Sequence, residues 1–138
     1  MSRPEPRKEA RRWLAQAEND LAFTEHSIRG GFHAQACFHS QQVAGKAVKA
    51  VHYLRGARAV IGHSVDGLLE ALETAGLPVK ELRPLAAQLD LHYIPTRYPN
   101  GLPGNLPFEV YTAAQASEAL AAARRIVGFA REQIERAG

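Results

Sequence analysis

The chain has 138 residues, 46% of them apolar and 22% charged, with a formal net charge of +3. That length suits one core and is short for two ordinary domains, so residues 1–138 are expected to form a single domain. The composition is too apolar for wholesale disorder, and the modest charge argues against a protein whose main task is coating nucleic acid.

Helix periodicity runs through the sequence, and no alternating strand pattern competes with it. The first helix is expected from about Glu5 to Arg29, where Leu14, Ala17, Leu21 and Ile28 keep one apolar stripe and Gly30-Gly31 follow as a stop. The second runs from about Phe32 to Arg55, with Cys37, Ala44, Val48 and Val51 inward and Gly56 at its end. Ser64 is a good N-cap for a third, whose Val65, Leu68, Leu69 and Leu72 face the core before Gly76. Pro78 suits the first turn of a fourth, with Leu82, Leu85, Ala86 and Leu89 on its inner side. Thr112 and Gln115 stand in capping-box spacing ahead of a long fifth helix, in which Ala116, Leu120, Ala123, Val127, Ala130 and Ile134 recur regularly. The expected fold is therefore all-α: a five-helix up-and-down antiparallel bundle. One connection is long, the 18 residues from Ile94 to Tyr111, broken by Pro95, Pro99, Pro103 and Pro107.

The longest apolar runs, such as Ala119 to Ala123, fall far short of the roughly 20 residues of a membrane helix, and the charged N-terminus has no apolar segment behind it. Cys37 is the lone cysteine, which excludes an internal disulfide and a cysteine zinc cluster and fits a reducing, cytoplasmic setting. The histidines show no ligand spacing, so no metal and no cofactor are expected.

Charge is unevenly distributed. Residues 26–65 hold five bases, no acid and five of the six histidines. A segment of this kind attracts phosphate or an acidic surface. Within it, His39, Gln42, Lys46, Lys49 and Tyr53 share a helical sector of about 80°, roughly opposite the apolar stripe; neither lysine has a carboxylate one turn away, although a plain solvated face is the alternative. Arg58 and His63, five positions apart, could supply a guanidinium for a phosphate and a base for a 2′-hydroxyl, or could merely shape the turn before Ser64. Tyr93, Arg97 and Tyr98, leading into the proline-rich connection, could stack on a base and hold a phosphate, or the tyrosines could pin the loop while Arg97 pairs with Asp90.

In order along the chain, Trp13-Leu14, Ala17, Asp20-Leu21, Ala36, Phe38, Gln41-Gln42, Lys46, Lys49-Ala50, His63-Ser64, Leu68-Leu69, Leu89-Asp90, Tyr93-Ile94 and Thr96-Arg97-Tyr98-Pro99 resemble the HEPN domain family of small bacterial and archaeal proteins, over about residues 9 to 135. The resemblance implies an all-α bundle, usually a homodimer, and a frequent companion, a minimal nucleotidyltransferase, in toxin–antitoxin-like pairs. It also implies that Arg58 and His63 match the arginine-to-histidine spacing of the metal-independent ribonuclease branches, although Gly45 stands where relatives usually carry Glu, and Ser64-Val65 follows His63 where those branches usually continue with another polar or aromatic position. The expected role is a nucleotide- or RNA-binding subunit acting through His39, Gln42, Lys46, Lys49, Tyr53, Arg97 and Tyr98. The alternatives are an endoribonuclease using Arg58 and His63, and a noncatalytic dimerisation scaffold.

Overall fold

The computed structural model describes residues 5–137. Helix α1 spans Pro6–Arg29 and begins where the Glu5 carboxylate accepts hydrogen bonds from the backbone N–H groups of Arg7 and Lys8. It stops at a tight turn in which Gly31 takes φ +83°, a left-handed conformation open to glycine without strain. Helix α2, His33–Leu54, then returns along α1. Contacts between Trp13 and Tyr53, Asp20 and Lys46, and Phe23 and His39 fall in descending order along α2 as they rise along α1, so the two helices are antiparallel.

Helix α3 covers Val65–Thr74 and α4 Arg83–Asp90. Ser64 caps α3 as expected, its Oγ accepting from Gly67 N–H at 2.9 Å. The start of the fourth helix is displaced from the sequence reading: Pro78 lies ahead of it, a 3₁₀ turn at Lys80–Leu82 intervenes, and Pro84 occupies the first helical turn. Proline fixes φ and lacks an N–H wherever it stands, so Pro78 and Pro84 are equal candidates until packing chooses between them. Arg83, at the head of α4, donates to Asp66, Glu70 and Glu73 and ties α4 along α3.

The long connection contains a 3₁₀ turn at Pro99–Gly101 and a one-turn helix α5, Pro107–Val110. The closing helix α6, Ala113–Arg136, opens with the Thr112–Gln115 capping box read from the sequence. Ion pairs of Glu18 with Arg131 and of Glu25 with Arg124 make α6 antiparallel to α1, so α2 and α6 run in the same direction. The long connection carries the chain back to allow this.

The apolar stripes meet in one core cluster that joins α1, α2, α3, α4 and α6. Helix α2 is its axis. Besides the four expected inward residues, Ala34, Ala36, Val43, Ala47 and Ala50 are buried, because small side chains let neighbours approach α2 from several sides. Leu69 and Leu72, fully enclosed, each contribute about 1.5–3 kcal/mol by burial.

Candidate functional site

The site begins with a buried amide. Gln41 is 1% exposed, and its Nε2 donates to the carbonyl oxygen of His63 at 2.7 Å and to Asp90 Oδ1 at 3.1 Å, while its Oε1 accepts from Gln42 Nε2 at 2.8 Å. A buried amide left unpaired would be costly, so these bonds fix the chain at residue 63. Asp90, the last residue of α4, accepts from Ser64 Oγ and Val65 N–H at 2.9 Å and from Asp66 N–H at 3.1 Å. A carboxylate at the positive end of α3 is favoured by the helix dipole and satisfies donors that have no partner inside the helix. Together Gln41 and Asp90 hold the turn that presents His63.

The His63 ring is exposed and stacks on Tyr93, with centroids 5.0 Å apart and an interplanar angle of 23°. Arg97 joins the same cluster. Its guanidinium carbon lies 4.3 Å from the centre of the Phe38 ring, 4.6 Å from Tyr93 and 5.1 Å from Tyr98. Arg97 Nε donates to the Tyr93 carbonyl at 2.9 Å, and its terminal nitrogens have no hydrogen-bond partner among the described residues. Rings hold a guanidinium by π attraction without neutralising it, so an oriented positive charge remains for an anion. The turn that carries it is stapled by Thr96 Oγ1 donating to the His92 carbonyl at 2.6 Å. Beyond Tyr98, the chain folds back so closely that a Cβ at residue 101 would lie 3.0 Å from Pro95 Cα, which only glycine avoids.

His39 extends the cluster. Its ring meets Phe38 at 5.3 Å and Phe23 at 5.1 Å, both edge-on. Burial holds its pKa below the ordinary 6.5, with Asp20 opposing the effect and Lys46 adding to it, which favours the neutral ring.

Other residues of the sequence reading lie elsewhere. Lys46 is paired with Asp20 of α1, which corrects the expectation of a helix face free of acidic partners. The neutralising carboxylate comes from the neighbouring helix, 26 positions away, where spacing within α2 could not reveal it. Lys49 sits 5.9 Å above the Trp13 ring, and Tyr53 stacks on that ring at 5.2 Å while its hydroxyl accepts from Val60 N–H at 3.3 Å. Lys46, Lys49 and Tyr53 thus line the α1–α2 seam near Trp13, and Gln42 serves Gln41. The second corrected pairing is Arg97 with Asp90: Asp90 is committed to α3 and Gln41, and Arg97 to rings. Arg58 is exposed in the connection between α2 and α3, with no hydrogen bond to His63 among the described residues.

Phe38 and Gln41 enter the sequence analysis only as residues that carry the family resemblance, not as parts of the site. Phe38 is one residue from the His39 sector, and Gln41 lies between apolar core positions. A buried glutamine on an otherwise apolar face was the available signal. Among the described residues, no group of three or more His, Cys, Asp or Glu side chains is placed to hold a metal ion, and no helix is long and apolar enough to cross a membrane. What the cluster offers is a fixed cation, flat rings and an exposed imidazole.

Comparison with known proteins gives a consistent answer. The HEPN domain family matches residues 10–133. A candidate toxin of Methanocaldococcus jannaschii, MJ1304, is 30% identical over 131 residues, covering 87% of this chain and 84% of its own. Among solved structures, TT1696 from Thermus thermophilus superposes with a TM-score of 0.84 at 41% identity, covering 91% of this chain and 98% of its own. ST0689, an archaeal HEPN homologue, gives 0.76 at 35% identity over 97% and 99% of the two chains.

Proposed function

The chain belongs to the HEPN domain family, and on that premise we propose that it is the RNA- or nucleotide-binding subunit of a toxin–antitoxin-like pair, acting in the cytoplasm beside a minimal nucleotidyltransferase. The observation that carries this reading is Arg97, an unneutralised guanidinium stacked among Phe38, Tyr93 and Tyr98 and next to the exposed ring of His63. Unpaired RNA is recognised by such parts: its phosphates seek a positive charge and its splayed bases seek flat rings. The test is binding of a single-stranded RNA followed by fluorescence anisotropy across salt. Arg97→Ala should weaken binding and make it less salt-dependent by about one phosphate contact, whereas unchanged binding would dismiss the reading. Co-purification with the minimal nucleotidyltransferase, and loss of toxicity on its co-expression, test the pairing.

A ribonuclease reading is favoured by the geometry of His63, whose ring is exposed while its carbonyl is pinned by Gln41. In that reading the His63 imidazole takes the proton from a 2′-hydroxyl, the resulting oxygen attacks the adjacent phosphorus, and the P–O5′ bond breaks as the 5′-oxygen takes a proton from water, leaving a 2′,3′-cyclic phosphate. Arg58 or Arg97 would offset the charge gathering on the phosphoryl oxygens. RNA incubated with the protein in EDTA should then be cut by wild type and spared by His63→Ala and Arg58→Ala. Equal survival of the RNA with all three ends this reading.

The outer groove between α4 and α6 supports the homodimer. It is a largely apolar cavity of about 530 Å³ lined in part by Leu85, Leu91 and Ala121, and Leu91 is 64% exposed. Glu118 and Arg125 flank it two turns apart, and neither forms an ion pair among the described residues. A twofold axis across α6 near Ala121 would set each Glu118 against the Arg125 of a second copy, a self-complementary arrangement.

A further inference from the structure

At the turn joining α1 to α2 lies a cavity of about 470 Å³, within the range of small-molecule sites, lined by Phe23, His26, Arg29, Phe32, Gln35 and His39 among others. Phe23 and Phe32, 52% and 57% exposed, both present ring surface to this cavity. The Phe32 ring is laid over Gly30, where an added Cβ would approach it to 3.1 Å, so a side chain there would push the ring aside. The lining has two aromatic faces, an amide, an arginine and two imidazoles, and no carboxylate.

That last feature distinguishes it from three other cavities. The cavity beside Trp13 includes Glu9, the α4–α6 groove Glu118, and the α3–α4 hollow Asp66 and Glu73. The nearest acids of α1 are engaged elsewhere, Asp20 with Lys46 and Glu25 with Arg124. An occupant must therefore be flat enough for the phenyl rings and suited to a positive rim. The aromatic contacts also run without a break from this cavity to the Arg97 cluster, Phe23 against His39 at 5.1 Å, His39 against Phe38 at 5.3 Å, and Phe38 against the Arg97 guanidinium at 4.3 Å.

We propose that this cavity is a stacking subsite for an unpaired base of the RNA strand whose phosphate is held at Arg97. This rests on the reading of Arg97 as an RNA contact, and adds where a neighbouring nucleotide goes. The rings of Phe23 and Phe32 take the face of the base, Gln35 offers both a donor and an acceptor to its edge, and Arg29 lies at the rim for the flanking phosphate.

The probe is an unstructured single-stranded RNA of about 12 nucleotides, within the span such surfaces cover. Inorganic tripolyphosphate, which has phosphates and no base, serves as competitor. The double variant Phe23→Ala/Phe32→Ala should bind the RNA about tenfold more weakly with its salt slope unchanged, and tripolyphosphate should compete as it does with wild type. Gln35→Glu, an exposed substitution that adds a carboxylate to the lining, should also weaken binding, and far-UV circular dichroism checks that both variants remain folded. Arg97→Ala should instead lower the salt slope. If both cavity variants bind like wild type while Arg97→Ala does not, the subsite is overturned and the Arg97 reading survives. If the cavity variants weaken binding and Arg97→Ala does not, the Arg97 reading falls and the cavity stands alone as a base site. A flattened salt slope in Phe23→Ala/Phe32→Ala, which changes no charge, would mean phosphate rather than base is held there, and wild type that binds no RNA would overturn both.

Discussion

Replacing Asp90 with asparagine keeps shape and removes charge, which makes it a sharp probe of how the site is held. The carboxylate accepts four hydrogen bonds: Oδ1 from Gln41 and Val65, Oδ2 from Ser64 and Asp66. In the least costly arrangement of Asp90→Asn, the amide oxygen keeps Gln41 and Val65, and the Ser64 hydroxyl turns to accept from the new amide. The Asp66 N–H is then left facing a donor. An unsatisfied backbone donor costs about 1–3 kcal/mol, and removing a negative charge from a helix N-terminus costs about 0.3–1 kcal/mol. The expected loss is about 2–3 kcal/mol. With a urea m-value of about 1.5 kcal/mol/M, the unfolding midpoint should fall by about 1.3–2 M. Trp13, stacked on Tyr53 and far along the sequence from the change, reports the transition by fluorescence. A loss below about 1 kcal/mol would refute the claim that Asp90 caps α3 and orders the His63 turn. On the proposed RNA-binding reading, affinity for RNA should fall as well, because the same bonds set that turn.

Burial holds the pKa values of His39 and His92 below the ordinary 6.5, so the unfolded chain binds protons more readily than the folded one. Stability should be full above about pH 6.5 and decline as pH falls below it; urea midpoints at pH 7.5 and 5.5 should differ in wild type and differ less in His39→Gln/His92→Gln. Burial pushes the Cys37 thiol up to about 12, so Ellman's reagent should react with it only once urea unfolds the chain, and rapid titration of the folded protein would contradict its enclosure. Gly45→Ala should stabilise by about 0.5–1 kcal/mol, raising Tm by about 2–4 °C, because its Cβ would sit 3.9 Å from Val65 Cγ2, an ordinary contact, while helix propensity improves; a lower Tm would mean α2 and α3 pack too closely there. Sedimentation should show Glu118→Arg shifting dimer to monomer and Glu118→Arg/Arg125→Glu restoring the dimer, and an unaltered single variant would dismiss the α4–α6 groove as the self-association surface.

The helical elements are legible in the amino-acid order because their signals are local. The 3,4 spacing of Leu14, Ala17, Leu21 and Ile28, the Ser64 cap and the Thr112–Gln115 box act over a turn or two, and each appears in the structure as read. His63, Arg97 and Tyr98 are legible as candidates, since they stand in connections where a charged or aromatic side chain is not needed for packing. What those residues meet is a matter of tertiary packing. The partner of Lys46 is 26 positions away on α1, and Asp90 reaches back 24 to 26 positions to the start of α3 rather than forward to Arg97. Such pairings depend on the rotation and direction of each helix against its neighbours, set by how the whole core interlocks and not encoded in any one stretch of sequence.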